Sequence, residues 1–250
     1  MCVYLTLVRR ELGSYFASLT GYLIIGLVAL MLGLSFTVLL EAMTREPSLV
    51  PLTELFFSTP FSWLIVLFAA PVITMRSFAL EKFSGTYETL MTTPVGDLQV
   101  VLAKFTGSLF FYLVMWLPLA AGLFVVRSYG REAVPVDPGL WGATLLGLLL
   151  WGALFLSLGC FASSLSRSQV VAAMLSLSAG VSLFLLSFLS FIIPPRSGWQ
   201  TALWDQVSMI VHMQEFARGI VDTRHVVFYL SLTLLFLFLT WRVVESRRWK

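Results

Sequence analysis

The stretch LTGYLIIGLVALMLGLSFTVLL, residues 19–40, runs from end to end without an acidic or basic side chain. At about 1.5 Å per residue an α-helix of this length is about 33 Å long, enough to cross a hydrocarbon layer of roughly 30 Å with a slight tilt. Five further runs share that character, at residues 58–75, 105–126, 140–164, 170–193 and 226–241, and none contains Asp, Glu, Lys or Arg. In lipid each run has to satisfy its own backbone groups, which selects helices. Hydrophobic residues make up 58% of the 250 and charged residues 12%, and Phe (21) outnumbers Asp and Glu together (13). A soluble core cannot absorb so much apolar surface at this chain length. The fold expected is all-α: one polytopic membrane domain over residues 1–250, crossing the bilayer six times.

Lys and Arg set the orientation. With both termini on the cytoplasmic side, ten of the sixteen basic residues fall inside, densest in the tail from Arg242 to Lys250, and six fall outside. Of the thirteen acids, five lie inside and eight outside. The basic balance therefore marks a membrane face and calls for no nucleic acid. The two cysteines, Cys2 and Cys160, predict no disulfide, and Cys160 between Gly159 and Phe161 reads as a small packing residue. Residues 3–18, VYLTLVRRELGSYFAS, place Leu5, Val8, Leu12 and Tyr15/Phe16 at helical spacing opposite Arg9, Arg10 and Glu11. That pattern suits an amphipathic helix lying in the interface, or an extension of the first span. Pro71, inside the second span, predicts a kink.

The spans hold no ionisable group of the kind that proton- or sodium-coupled carriers place at the membrane middle. No H-E-x-x-H, G-x-S-x-G or G-x-x-x-x-G-K-[ST] motif occurs, and two His with two distant Cys make no metal set. The sequence thus predicts no catalytic residue, no bound metal or cofactor and no nucleotide hydrolysis by this chain.

Polar character concentrates between the second and third spans. In RSFALEKFSGTYETLMTTPVGDLQVVLAK, residues 76–104, Phe83, Tyr87, Leu90 and Met91 share one helical face, and Glu81, Ser84 and Glu88 another. Gly85 interrupts this helix, Pro94 with Gly96 ends it, and Asp97 is placed to cap the next. The pattern fits an ordinary interfacial hairpin or a rigid knob offered to a soluble partner. On the outer side, residues 203–220 form an amphipathic pattern through Phe216, better suited to covering the ends of the spans than to holding a ligand. Arg218 and Asp222 are spaced to pair, and His212 reads as a hydrogen-bonded surface histidine rather than a ligand or sensor. Small residues at Gly26, Gly33, Gly152, Gly159, Ser163 and Gly180 mark possible helix contacts. Serines of the fifth span, Ser176 to Ser190, either line a polar route or bond their own backbone.

Residues 71–107, PVITMRSFALEKFSGTYETLMTTPVGDLQVVLAKFTG, resemble the membrane subunit of ABC type-2 exporters, especially the gliding-motility-type permeases. The resemblance rests on Glu81, then Gly85, Thr86, Glu88 and Leu90, then Pro94-Val95, then Lys104. FARGIVDTR (residues 216–224), the terminal ESRRWK and the N-terminal RRELGSYFASLTGYLI are similar to the same family, with His225 departing from the acidic residue often found there.

The resemblance implies a permease subunit of the bacterial cytoplasmic (inner) membrane, paired with a second permease subunit as a homodimer or heterodimer. Each subunit would dock a cytoplasmic ABC ATPase that uses ATP and Mg. Residues 81–94 would be the coupling helix: Glu81 and Glu88 facing the ATPase, Gly85 and Pro94 shaping the loop, Lys104 anchoring the third span. A periplasmic auxiliary protein and membrane lipids are further partners it suggests. A membrane scaffold that acts mechanically on an outer-side partner, without moving a small substrate, is the alternative. Uncharged spans rich in Phe and Leu would suit lipid-like or amphipathic cargo.

Overall fold

The computed structural model describes residues 2–45, 51–86, 95–129, 138–192 and 206–246. They form helices α1 (Cys2–Phe16), α2 (Leu19–Arg45), α3 (Leu52–Ser58), α4 (Pro60–Thr74), α5 (Ala79–Ser84), α6 (Asp97–Met115), α7 (Leu117–Tyr129), α8 (Pro138–Leu165), α9 (Gln169–Ile192), α10 (Met209–Ala217) and α11 (Thr223–Ser246). Strands are absent among the described residues. Among the described residues six segments are long and apolar enough to cross a membrane: Leu19–Glu41, Pro60–Ser84, Asp97–Gly122, Pro138–Leu165, Gln169–Phe188 and Thr223–Ser246. Each overlaps one of the six runs read from the sequence, the second and third reaching into the charged stretch between them.

The second, third and fourth spans form the interior, with 67%, 61% and 78% of their apolar windows buried, against 22–28% for the other three. Glycines on α8 explain why it can sit at the centre. Gly147 receives the Phe216 ring of α10, Gly152 the Tyr112 ring of α6, and Gly159 the Thr74 side chain of α4. In lipid no hydrophobic drive pushes helices together, so close packing at small residues does that work. Trp151 adds an edge-on contact with Trp63 at 4.5 Å between ring centres. Gly180 faces Phe155 in the same way, whereas Gly26 and Gly33 meet nothing within 4 Å and mark no contact inside the chain.

Several local expectations change. The chain breaks at Ala17–Ser18, where Ser18 Oγ accepts from Gly21 N at 3.2 Å, so α1 is a helix of its own and not an extension of the first span. Its packed face follows the polarity reading at Tyr15, which is buried, but differs from it at Glu11, also buried, and at Leu5, which is 60% exposed. The third span breaks at Trp116, because Pro118 has no N–H to continue the ladder of α6. Gly96, not Asp97, occupies the cap position before α6. Pro71 lies in the last turn of α4, and the helix ends three residues later. The pattern read at 203–220 breaks at Ser208, and the helix after it spans Met209–Ala217. Cys160 is fully buried, as a packing residue would be. Ser178 and Ser182 of α9 return their hydroxyls to the carbonyls of Leu175 and Ser178. Ser187 likewise donates to Leu183 O, at 3.3 Å, and also accepts from Met209 N at 3.2 Å, which holds the start of α10.

A methyl group at Gly152 has to displace the Tyr112 ring, whereas one at Gly33 enters open space. Gly152→Ala is expected to lose about 1–3 kcal/mol. Gly33→Ala is expected to be neutral or to gain up to about 1 kcal/mol. Thermal unfolding of both variants in detergent measures the contrast.

Candidate functional site

The segment that follows Pro71 carries the site. Thr74 ends α4, residues 75–78 make a turn, and α5 occupies only Ala79–Ser84. A helix of six residues is not stable alone, since nucleation costs more than so few bonds return. Its neighbours hold it instead, from two sides.

On one side stands the end of α8. Ser163 Oγ accepts from Phe78 N and from Ala79 N, each at 3.1 Å, so a side chain from another span satisfies two first-turn amides. The same hydroxyl donates to Met75 O at 3.3 Å. One residue on, the Ser164 carbonyl accepts from Lys82 Nζ. At the other end of α5, Gly85 has φ +74°, a left-handed conformation that terminates the helix without the strain a Cβ would bring.

On the opposite side four charges alternate. Lys104 Nζ, on α6, donates to Glu81 Oε1 at 2.8 Å and to Glu11 Oε1 at 3.1 Å. Arg10 Nη2 donates to the same two oxygens, at 3.0 and 3.1 Å. Lys104 is buried at 2% exposure, and the Phe78 ring lies with its centre 5.3 Å from the ammonium group. Leaving an ammonium in this setting without partners would cost several kcal/mol, and two carboxylates offset that cost. The approach of α1 is made possible by Gly107, since a Cβ there would stand 2.9 Å from Glu11 Cβ. Tyr15 completes the seam. Its ring stacks on Phe111 with centres 4.9 Å apart, and its hydroxyl donates to Ile73 O at 3.1 Å. Burial pushes that hydroxyl well above its ordinary pKa, so it stays a donor.

The expected residues are thus partly reassigned. Glu81 does not stand out toward a partner; its carboxylate turns inward, because Lys104 and Arg10 neutralise it there. Lys104 is at the centre of the cluster. Thr86 Oγ1 lies 2.8 Å from Ser84 Oγ on the exposed side. Glu88, Leu90 and Pro94 lie outside the described residues, as do Tyr87 and Met91 of the proposed apolar face. Arg10, Glu11, Ser163 and Ser164 were not among the residues singled out for this site. The one signal for them was charge at a span edge: Lys104, one residue ahead of an uncharged run, needs a counter-ion from somewhere.

The outer group is arranged differently from its sequence pattern. His212 is buried, at 1% exposure, with its ring edge-on to His225 at 3.8 Å between centres. His225 Nε2 lies 3.1 Å from Glu215 Oε2. Phe216 is buried against Gly147. Arg218 pairs with Glu54 of α3 rather than with Asp222, and this bond raises the guanidinium pKa further. Asp222 instead caps α11, accepting from Arg224 N at 2.8 Å. These contacts tie α3, α10 and α11 over one end of α8. Among the described residues no group of three or more His, Cys, Asp and Glu is placed to hold a metal ion.

The geometry is that of a multi-pass helical membrane protein whose buried charge sits at the end of a bundle, holding one short helix. This chain belongs to the ABC-2 transporter family: the family model described as ABC-2 family transporter protein matches residues 48–241, from α3 to α11. The match is to the family at large and does not single out the gliding-motility type. A search among curated proteins found no match. Members of the family are membrane permease subunits, which in general work with an ATP-binding subunit and dimerise.

Lys104→Met would leave Glu11 and Glu81 facing each other with only the half-exposed Arg10 between them. We expect a loss of about 3–5 kcal/mol. Much of it should return in the triple variant Glu11→Gln/Glu81→Gln/Lys104→Met, where the one charge left in the cluster is that of the half-exposed Arg10, which water can solvate. Unfolding midpoints of the two proteins in the same detergent compare them directly.

Proposed function

We propose that this chain is the permease subunit of an ABC exporter, coupling ATP hydrolysis by a separate cytoplasmic ATPase to movement of a substrate across the bacterial inner membrane. The observation that carries this reading is the clamp on α5. A six-residue helix bonded to α8 on one side and to α1 and α6 on the other cannot shift without moving three other helices. A push delivered to residues 81–94 would therefore reach the interior spans.

On this reading α5 and the residues after it meet the ATPase, with Gly85, Thr86, Glu88, Leu90 and Pro94 at or near the contact. Glu81 and Lys104 act behind it, as the link to α1 and α6. Both termini are cytoplasmic, and a second permease subunit completes the pathway. ATP and Mg would be bound by the partner ATPase, not by this chain. The α3–α10–α11 assembly would cover the outer ends of the spans. The cargo class consistent with uncharged walls is lipid-like or amphipathic.

Purification from native membranes in mild detergent is expected to bring down an ATP-binding subunit, and its absence would count against this function. In the reconstituted complex, Gly85→Pro and Glu88→Lys are expected to abolish the response of the permease to ATP while hydrolysis by the ATPase continues. Wild-type behaviour in both variants would remove the coupling role from this loop.

A further inference from the structure

A cavity of about 570 Å³ opens beside the charge cluster, between α1, the start of α2, the end of α4 and α5. This is within the range of pockets that hold small molecules. Two features of its lining are unusual. The four clustered charges cancel, which leaves Arg76 as one uncompensated positive charge on the wall. Its Nη1 donates to the Thr20 hydroxyl at 2.6 Å, and no described carboxylate pairs with it. Its Nε is buried with no hydrogen-bond partner, and the Ser77 hydroxyl, on a residue only 3% exposed, has only Tyr15 and Cys160 as polar neighbours. The wall also holds an orphaned acceptor: Glu81 uses Oε1 for both its cations, and Oε2 is buried with no donor.

Buried polar groups are rarely left unmatched, and here Arg76 Nε and Glu81 Oε2, a donor and an acceptor without partners, belong to residues that line one space. A monoanionic phosphate matches the first, through charge-assisted bonds from Arg76 and Ser77. An ammonium group with N–H donors matches the second. A phosphoethanolamine headgroup carries both. The position fits a lipid as well. The cavity lies where the first span begins, and beyond Gly21 and Ile24 the outward face of α2 presents Leu19, Tyr22, Leu23 and Leu27, each at least half exposed. That apolar face gives acyl chains a surface to follow.

We propose that this cavity is a binding site for an amine-bearing membrane phospholipid, its phosphate on Arg76 and Ser77 and its ammonium group on Glu81. The site stands whether or not the chain is a coupled permease, since it rests on the cavity alone. A tightly held lipid here would wedge α1, α2 and α5 together at the edge of the clamp.

Native mass spectrometry of the purified protein, after exchange into nanodiscs or detergent with defined lipid, tests the assignment. Phosphatidylethanolamine is expected to remain bound, and phosphatidylcholine, whose quaternary nitrogen has no N–H, to bind more weakly. Arg76→Gln should weaken retention roughly tenfold or more, the effect of losing a charged hydrogen bond. Ser77→Ala should weaken it to a smaller extent, and serves as the readable variant if Arg76→Gln does not fold. Equal retention by wild type and Ser77→Ala, or no preference for ethanolamine over choline, would overturn the proposal. Inorganic phosphate that stabilises the lipid-free protein as well as the lipid does would also overturn it, reassigning the site to a soluble anion.

Discussion

Lys104 sits between two carboxylates at the end of a membrane bundle, and the positions of three helices follow from that placement. Its ammonium group is carried on α6, one residue before the uncharged part of the third span, where burial without partners would be costly. Glu11 brings α1 to it and Glu81 brings α5. α5 has little hydrophobic reason to be where it is, whereas α1 also stacks Tyr15 on Phe111. α5 is six residues long, and α1 turns Leu5 outward while burying Glu11. The charge cluster joins both to α6, and for α1 it acts together with the Tyr15–Phe111 contact and the close approach at Gly107. Replacing such a cluster by apolar groups of the same shape often costs nothing in stability. Its value here is registry: it fixes where α5 stands relative to the spans.

α8 supplies the other half of that registry by hydrogen bonding rather than charge. Ser163 caps α5, Ser164 receives Lys82, and Gly159 one turn earlier admits Thr74 of α4. A single face of one span therefore holds both the end of α4 and the start of α5. The same helix packs Phe216 of the outer group near its other end, at Gly147. One central span therefore touches both the short helix α5 and the α3–α10–α11 group at its other end.

The six crossings were legible because length and hydropathy report solvation by lipid, and solvation does not depend on which helices are neighbours. Gly85 was legible too, since a helix broken at glycine and a left-handed φ are the same local fact. What polarity misassigned was direction. Glu11, Glu81 and His212 are polar and were expected to face outward, yet each is turned inward by partners remote in sequence. Ser163 read as a small residue for helix approach, and its hydroxyl proved to be the cap of α5. Arg218 had an acid at helical spacing in Asp222, but Asp222 was already committed to the first turn of α11. These misreadings share one cause: a pairing rule applied along the chain competes with a partner that only the fold brings near.

Hydrogen–deuterium exchange on the complex of this chain with its ATPase, with and without trapping of the ATP-bound state, tests the central claim most directly. If α5 is locked to α1 and α6 through Glu81 and Lys104, trapping changes protection in residues 79–86, in α1 and at the start of α6 together. In Glu81→Gln the change stays confined to 79–86. A wild-type response that leaves α1 unchanged would contradict the account.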